Sequence, residues 1–369
     1  MRRSAVRLLV VMSALAVLAA ACGGGGAKPN QKAIQQIGAK YTNENATDVK
    51  PPVGPDTQAL ALPGFLVATN SPSWHKLAGA PRVPGAVVLF IQPGGPTDNK
   101  GIAQGDVLIS VDGTPIANAE RAIAVLHSRV GQKRVLTFAR AGKNNTRQLT
   151  IIGRSPQGQP ATIIGPELAN NPTSPVLRYL RAYVGGPDAQ RLDDLARALR
   201  AAPDFADALQ LRASLLWASS FNQKDANTRR QMETQALAGW KNALDIDPRN
   251  ETTLAVRSVA ETTLGTPKSG ESDALRALNI DGSQPLALFA LSQARAADNK
   301  LSEALGPALG AVELQPFNLD YWKNLASLFV RNKRKDDCVK TANAFAPYLR
   351  ARSGAAFQTA ATDLLNTCK

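Results

Sequence analysis

Histidine is scarce in this sequence, and its scarcity limits the possible chemistry. The chain of 369 residues contains two histidines, His75 and His127. A histidine-rich metal site is therefore excluded, and most nucleophilic catalysis lacks its usual general base. His75 follows Trp74 in a predicted loop with no nucleophile near it in sequence, and His127 falls on a predicted helix. The sequence therefore predicts no catalytic residue, no metal site and no cofactor.

Clustered basic residues are also missing, although the chain is strongly basic. It has 43 Lys and Arg against 29 Asp and Glu, a formal net charge of +14, and only 5% aromatic residues. Nucleic-acid binding usually relies on basic clusters within a recognisable motif, whereas a basic balance also suits a protein near anionic lipid. We therefore expect no nucleic-acid partner and a place in the cell envelope.

The length exceeds that of one ordinary core, so two or three folded domains are expected. The patterns along the chain predict an α+β multi-domain protein, in which a small β-rich domain precedes a longer helical one. The predicted boundaries are a signal peptide at 1–21, a polar tether at 22–58, a strand-rich domain at 59–154, a Pro- and Gly-rich linker at 155–174 and a helical domain at 175–369.

The amino terminus has the features of a secretory signal. A basic start precedes an apolar stretch from Leu8 to Ala21, which is interrupted only by Ser13 and is too short to span a bilayer comfortably. Cys22 follows directly, and the segment resembles a bacterial lipoprotein signal, although Ala19 stands where that family usually has Leu. The resemblance implies lipidation of Cys22 and a lipid-anchored, extracytoplasmic protein at the bacterial cell membrane. An ordinary secretory signal with a coincidental cysteine remains open.

Strands and turns alternate from Gly85 to Ile116, in the sequence GAVVLFIQPGGPTDNKGIAQGDVLISVDGTPI. The Pro and Gly residues of the PGGP segment cannot continue a strand, and Asp112-Gly113 is a hairpin-type turn. Asn118 is a plausible N-cap for the helix that follows it, and alternating residues at 134–140 and 148–152 predict two further strands.

This order of motifs closely resembles a PDZ domain of the bacterial type, which binds an extended peptide along a strand edge. The resemblance implies that the loop of Leu62, Pro63, Gly64 and Phe65 holds a terminal carboxylate, although Pro63 lacks one N–H donor. It also implies that Leu66, Val67 and Ala68 form the pairing edge. Ile123 and Leu126 would line a pocket for the last peptide side chain, but simple core packing explains both equally well.

The second half of the chain repeats. Helical segments are interrupted at Pro203, Pro248, Gly282 and Pro316, at intervals of 45, 34 and 34 residues. A period of about 34 residues is typical of the tetratricopeptide repeat, which this part of the chain resembles. The longer interval predicts an insertion near 221–228, either a loop or an extended helix. About five units and a capping helix from Ser353 to Cys368 are expected.

The repeat resemblance implies antiparallel helices, which would bring Cys338 and Cys368 together. A disulfide is then possible outside the cytoplasm. Two buried thiols are the alternative.

Together these features predict a lipid-anchored scaffold or adaptor without catalysis of its own. Its partners would be a C-terminal or extended peptide in the PDZ groove and a second protein on the helical array. The array could instead be a rigid spacer. An alternative for the whole protein is a non-catalytic accessory subunit that presents substrates to an envelope protease or assembly machine.

Overall fold

The computed structural model describes residues 64–91, 95, 97–127, 133–140, 143–150, 160–315, 318–350 and 355–368. The predicted signal peptide, Cys22, the tether, and Leu62 and Pro63 lie outside the described residues. Within the described ranges, no helix combines the length and apolar character needed to cross a membrane.

A strand-rich segment is followed by a long series of helices. The strands are β1 (Phe65–Thr69), β2 (Ala86–Ile91), β3 (Val107–Val111), β4 (Thr114–Pro115), β5 (Lys133–Arg140) and β6 (Lys143–Thr150). The helices among and just after the strands are α1 (Pro72–Leu77), α2 (Ala119–His127), α3 (Pro160–Asn170), α4 (Pro175–Val184), α5 (Asp188–Ala201), α6 (Ala206–Ser220) and α7 (Ala226–Ile246). The remaining helices are α8 (Glu251–Thr263), α9 (Pro267–Ile280), α10 (Pro285–Ala297), α11 (Leu301–Leu314), α12 (Leu319–Arg331), α13 (Lys335–Arg350) and α14 (Ala355–Cys368).

The chain divides into two compact units, with the boundary between Thr253 and Leu254. We call the described residues up to Thr253 the N-terminal unit and those from Leu254 onward the C-terminal unit. The sheet and helices α1–α7 belong to the N-terminal unit.

The strands form one antiparallel sheet in the order β1-β2-β3-β5-β6, with β4 paired to β3. Among the described strands, β1 pairs with β2 alone, so it is an edge strand. A register shift between Leu66 and Val67 marks a β-bulge in the β1–β2 pair. Asp112 has φ +50° and Gly113 φ +76°, which is the left-handed geometry that the predicted hairpin turn requires.

Both faces of this sheet are covered, each by a different set of residues. One face carries Phe65, Val88, Leu108 and Phe138, and it packs with α2 in one core cluster. The opposite face, which we call the outer face, packs against the helices that follow the sheet. Its buried residues include Ala68, Val87, Leu89, Phe90, Val107 and Ala139, and their cluster includes Ile164, Tyr179, Leu180, Leu195, Phe205 and Leu211.

Trp74 joins the sheet to the helices. Its side chain is fully buried, and its ring makes edge contacts with Tyr179 (centroids 5.6 Å apart) and Phe205 (5.1 Å apart). The segment from Ser71 to Pro84 was predicted as a loop, but the structure places the short helix α1 there. The strand-rich segment and the first helices therefore share one core.

Helix α1 also caps α6. The backbone N–H of Ala206 donates to Ser73 Oγ at 3.0 Å, and the Ser71 hydroxyl donates to Asp207 Oδ2 at 2.9 Å. These serines are buried and lie more than 130 residues before their partners. Because Phe205 at the N-cap position of α6 provides no side-chain cap, Ser73 supplies it from another part of the chain.

The predicted linker at 155–174 differs from the structure, which contains helix α3 over Pro160–Asn170. Ile164 and Leu168 are buried and lie four residues apart, on one helical face. Pro160 is tolerated because it occupies the first turn, where its missing N–H has no intrahelical partner. Burial of this apolar face explains why a Pro- and Gly-containing segment is helical here.

The helices after α3 form hairpins, and the predicted repeat is confirmed. The first helices of four successive hairpins begin at Ala206, Glu251, Pro285 and Leu319, so the starts lie 45, 34 and 34 residues apart. Helix α7 has 21 residues against 14 in α9 and α11, so the longer interval is largely an extended helix. With α4–α5 as the first hairpin and α14 at the end, the helices form a tetratricopeptide-like array.

In the C-terminal unit, the disulfide partners lie on α13 and α14. Cys338 and Cys368 are joined by a disulfide that closes a sequence separation of 30 residues, and both are buried. A loop of this length gives a stabilisation of about 3–4 kcal/mol in the chain-entropy model. The bond holds the last helix of the array against the preceding one.

Candidate peptide-binding groove

The groove lies between helix α2 and the edge of β1 that points away from β2. No described strand pairs with this edge of β1, which leaves its alternate backbone N–H and C=O groups available for another strand. Gly64, immediately before β1, has φ +80°, a conformation that glycine adopts without strain. The chain therefore turns at Gly64 into an open strand edge.

Two threonine hydroxyls hold the two sides of this groove in place. The buried Thr97 hydroxyl donates to the Gly64 carbonyl oxygen at 3.0 Å, which fixes the entry to β1. Thr69 Oγ1, at the end of β1, accepts from the Ala119 N–H at 3.0 Å and so attaches the start of α2 to the strand.

Asn118 caps α2 as predicted, because its Oδ1 accepts from the Arg121 N–H at 2.8 Å. The cap and the Thr69 contact together satisfy two of the N–H groups that a helix start leaves without an intrahelical partner.

The floor of the groove is apolar. Phe65 and Leu126 are both buried, and the Phe65 ring contacts the Phe138 ring edge-on with centroids 6.2 Å apart. Val67 of β1 and Val125 of α2 are only partly buried against the same cluster. An apolar side chain entering between β1 and α2 would therefore meet these two valines first, above a packed floor.

Comparison with known domain families decides the nature of this segment. Residues 37–151 match the family model of the PDZ domain. This segment is a PDZ domain. No curated protein matches the chain.

Solved structures show similarity over parts of the chain. TTC0263, a TPR protein of Thermus thermophilus, is 22% identical over 46% of this chain and 89% of its own, with a TM-score of 0.41. YrrB, a TPR protein with an unusual peptide-binding site, is 14% identical over 55% of this chain and 99% of its own, with a TM-score of 0.36. The HtrA-type protease AlgW, solved with a decapeptide, is 24% identical over 26% of this chain and 30% of its own, with a TM-score of 0.24.

The structure brings several of the expected PDZ residues together at the groove. Gly64, Phe65 and Val67 lie at its entry and along its floor, and Leu126 faces them from α2. Leu66 differs, because its side chain packs against the outer-face cluster instead. Ile123 belongs to α2, but its side chain is outside the described part of the chain, as is Leu62.

Sequence reasoning missed three residues of the PDZ groove: Thr69, Thr97 and Val125. The two threonines contact partners 50 and 33 residues away, which no local pattern indicates. Val125 could have been found, since it lies three residues after the buried Ala122 and therefore near the same face of α2.

Gly105 and Asp106, just before β3, support the sheet and lie outside the groove. Asp106 is buried, accepts two hydrogen bonds from the Arg140 guanidinium at 2.5 Å, and accepts a third from the Ala103 N–H at 2.8 Å. The bond to Asp106 raises the pKa of Arg140. A Cβ atom at Gly105 would lie 2.2 Å from the Ala78 carbonyl oxygen, so only glycine fits at this position.

His75 lies on α1, which is not one of the groove-forming elements β1 and α2. Burial lowers the pKa of His75, and Arg82 acts in the same direction. Within the described ranges, no group of three or more His, Cys, Asp or Glu residues is placed to hold a metal ion. The chemistry of the groove is that of binding: PDZ and tetratricopeptide-like folds bind peptides and proteins.

Proposed function

We propose that this protein is a lipid-anchored, extracytoplasmic adaptor that binds an extended peptide in its PDZ groove and a partner protein on its helical array. The observation that carries the proposal is the open edge of β1 beside the apolar groove formed with α2. Such an edge binds a peptide as an added strand, because each backbone group of the edge gains a partner.

The expected geometry follows from the ends of the groove. A peptide running antiparallel to β1 would bring its carboxylate to the turn at Gly64, where close backbone approach is possible. Its last side chain would then lie between Val67 and Val125. This orientation favours a free C-terminus with an apolar final residue.

The array offers a second surface within the C-terminal unit. On α12, Lys323 and Ser327 are exposed, and Asn324 donates to Ser292 of α10 at 2.5 Å. Gln210 of α6 is buried and donates to Ser214 Oγ, so it offers nothing to a partner. The polar, partly charged face of α12 suits a protein partner better than an apolar ligand.

A substitution in the groove tests peptide binding. Val125→Glu should weaken binding of a selected C-terminal peptide at least about tenfold, since a charge would enter an apolar pocket at a cost of more than about 1.4 kcal/mol. Fluorescence anisotropy with a labelled peptide, selected from a random C-terminal library on the chain from residue 23, measures the effect.

Val83→Glu is the matched control, because Val83 is an exposed valine on the loop before β2. It should bind the peptide as the parent protein does. Equal affinity of the Val125→Glu and parent proteins would refute the groove as the binding site.

The membrane anchor is supported by the sequence around Cys22, and the disulfide in α13–α14 suits an oxidising compartment. Cys22→Ser should abolish incorporation of a clickable palmitate analogue and shift the protein from the membrane to the soluble fraction of a bacterial host. Ser4→Ala, within the same segment, should leave labelling unchanged. Labelling that persists in the Cys22→Ser protein would rule out this anchor.

A further inference from the structure

The edge strand β1 has a different neighbour on each face. Phe65 and Val67 face the groove with α2. Leu66 and Ala68 face the outer side of the sheet, where Ala68 is 5% exposed and Leu66 is packed against the cluster that includes Trp74 and Tyr179. The outward-facing side chains of β1 therefore belong to the same apolar cluster as the first helices after the PDZ domain.

A peptide strand added to β1 would continue both faces of the sheet. Successive side chains of a strand point to opposite faces, so every second peptide side chain would lie beside Val67 and α2. The side chains between them would lie beside Leu66, at the cross-strand distance of about 4.5–5.5 Å between Cβ atoms. In a sheet whose outer face is open, these intervening side chains would point into solvent.

We infer that the groove selects peptide side chains on both faces, with the helical cover acting as a second specificity surface. This inference rests on the proposed peptide binding and adds the class of peptide. The position opposite Leu66 should prefer an apolar side chain, because Leu66 is apolar and only partly buried. A peptide with apolar residues at adjacent positions near its end would then bind better than one with apolar residues at every second position only.

On β1, the margin of the outer cluster is Leu66 itself, an apolar side chain that is only partly buried. A charged peptide side chain placed against such a margin would lose hydration without gaining a partner. Acidic and basic residues should therefore be selected against at the position that faces Leu66.

The test is a random C-terminal decapeptide library selected on the chain from residue 23, so that the helical cover is intact. We expect apolar residues to be enriched at adjacent positions. Charged residues should be depleted about tenfold at the positions between the groove-facing ones. Enrichment only at every second position would overturn the inference and leave the proposed groove standing. No enrichment at any position would overturn both.

Two variants of Leu66 separate the faces. Leu66→Lys should convert the preference at the facing position from apolar to acidic while the groove-facing positions keep theirs. Leu66→Thr, a milder change that suits a strand, should relax the apolar preference about fivefold without introducing the acidic one. Val67→Thr is the matched control, and it should change only the groove-facing positions.

The circular dichroism spectra and melting temperatures of the variants are compared with those of the parent protein. A Leu66→Lys protein that folds and selects the same peptides as the parent protein would refute the second surface. If Leu66→Lys does not fold, the selection on Leu66→Thr decides, and an unchanged preference there has the same consequence.

Discussion

Trp74→Ala should lower the free energy of unfolding of the N-terminal unit by about 3–5 kcal/mol, the usual cost of removing a fully buried tryptophan. The Trp74 side chain is fully buried, and its ring contacts Tyr179 of α4 and Phe205 at the start of α6. The cavity would lie between the sheet and the helices, so both should lose stability together. Urea denaturation monitored by circular dichroism measures the free energy of unfolding.

Hydrogen exchange shows where the stability is lost. Amides of β2 and of α6 should lose protection to a similar extent in the Trp74→Ala protein, because one core stabilises both. Lys76→Ala on the same helix is the control: it removes the Lys76–Asp204 ion pair, which is exposed to solvent and therefore contributes little to stability. Normal protection in β2 with loss confined to α6 would contradict a shared core.

Asp194→Ala should lower the free energy of unfolding of the same unit by about 3 kcal/mol. Asp194 is fully buried on α5 and accepts from Arg178 Nη1 at 3.0 Å and from Arg181 Nε and Nη2 at 2.6 Å, both on α4. Removing the carboxylate leaves two guanidinium groups without their main partner, and loss of one member of a buried pair costs about 3–5 kcal/mol. The arginine side chains are 11% and 28% exposed, so partial hydration keeps the loss near the lower figure.

The neighbouring residue gives a matched control for the urea measurement. Asp193 forms an ion pair with Arg197 at 2.8 Å, with both side chains about half exposed. Asp193→Ala should therefore change the free energy of unfolding by less than about 1 kcal/mol. Similar losses for the two variants would show that the Asp194 cluster contributes no more than a surface pair.

The shared core also decides how the PDZ domain is studied. A fragment that ends near residue 155 would expose Val87, Leu89, Val107 and Ala139, which the intact chain covers with helices. An apolar face of this kind promotes aggregation. Binding experiments on the groove therefore need the helices as well as the PDZ domain.

Local patterns predicted much of the fold. Strands β2 and β3, the Asn118 cap of α2 and the hairpin turn at Asp112-Gly113 each depend on residues within a few positions of one another. The repeat of 34 residues was visible because every hairpin buries its own small residues, such as Ala277 and Ala311, at equivalent positions. Such features need no knowledge of distant contacts.

Contacts between distant residues explain what was missed. Helix α3 was predicted as linker because its Pro and Gly residues indicate a turn. Its Ile164 is buried only in the outer cluster, which joins the sheet to later helices. Leu66 was predicted at the groove, and the alternation of β1 could have placed it on the other face. What could not be predicted was that this other face is covered.

The sequence by itself therefore determined the local elements: strand β3 after Gly105-Asp106, the capped helix α2, the repeat period and the glycine at the entry to β1. Each follows from backbone geometry or from periodicity, which act over a few residues. Only the tertiary structure decided that β1 has α2 on one face and, on the other, the cluster formed with helices of the N-terminal unit. That arrangement depends on burial of apolar surface such as Trp74 by residues more than 100 positions away, and burial is a property of the folded chain.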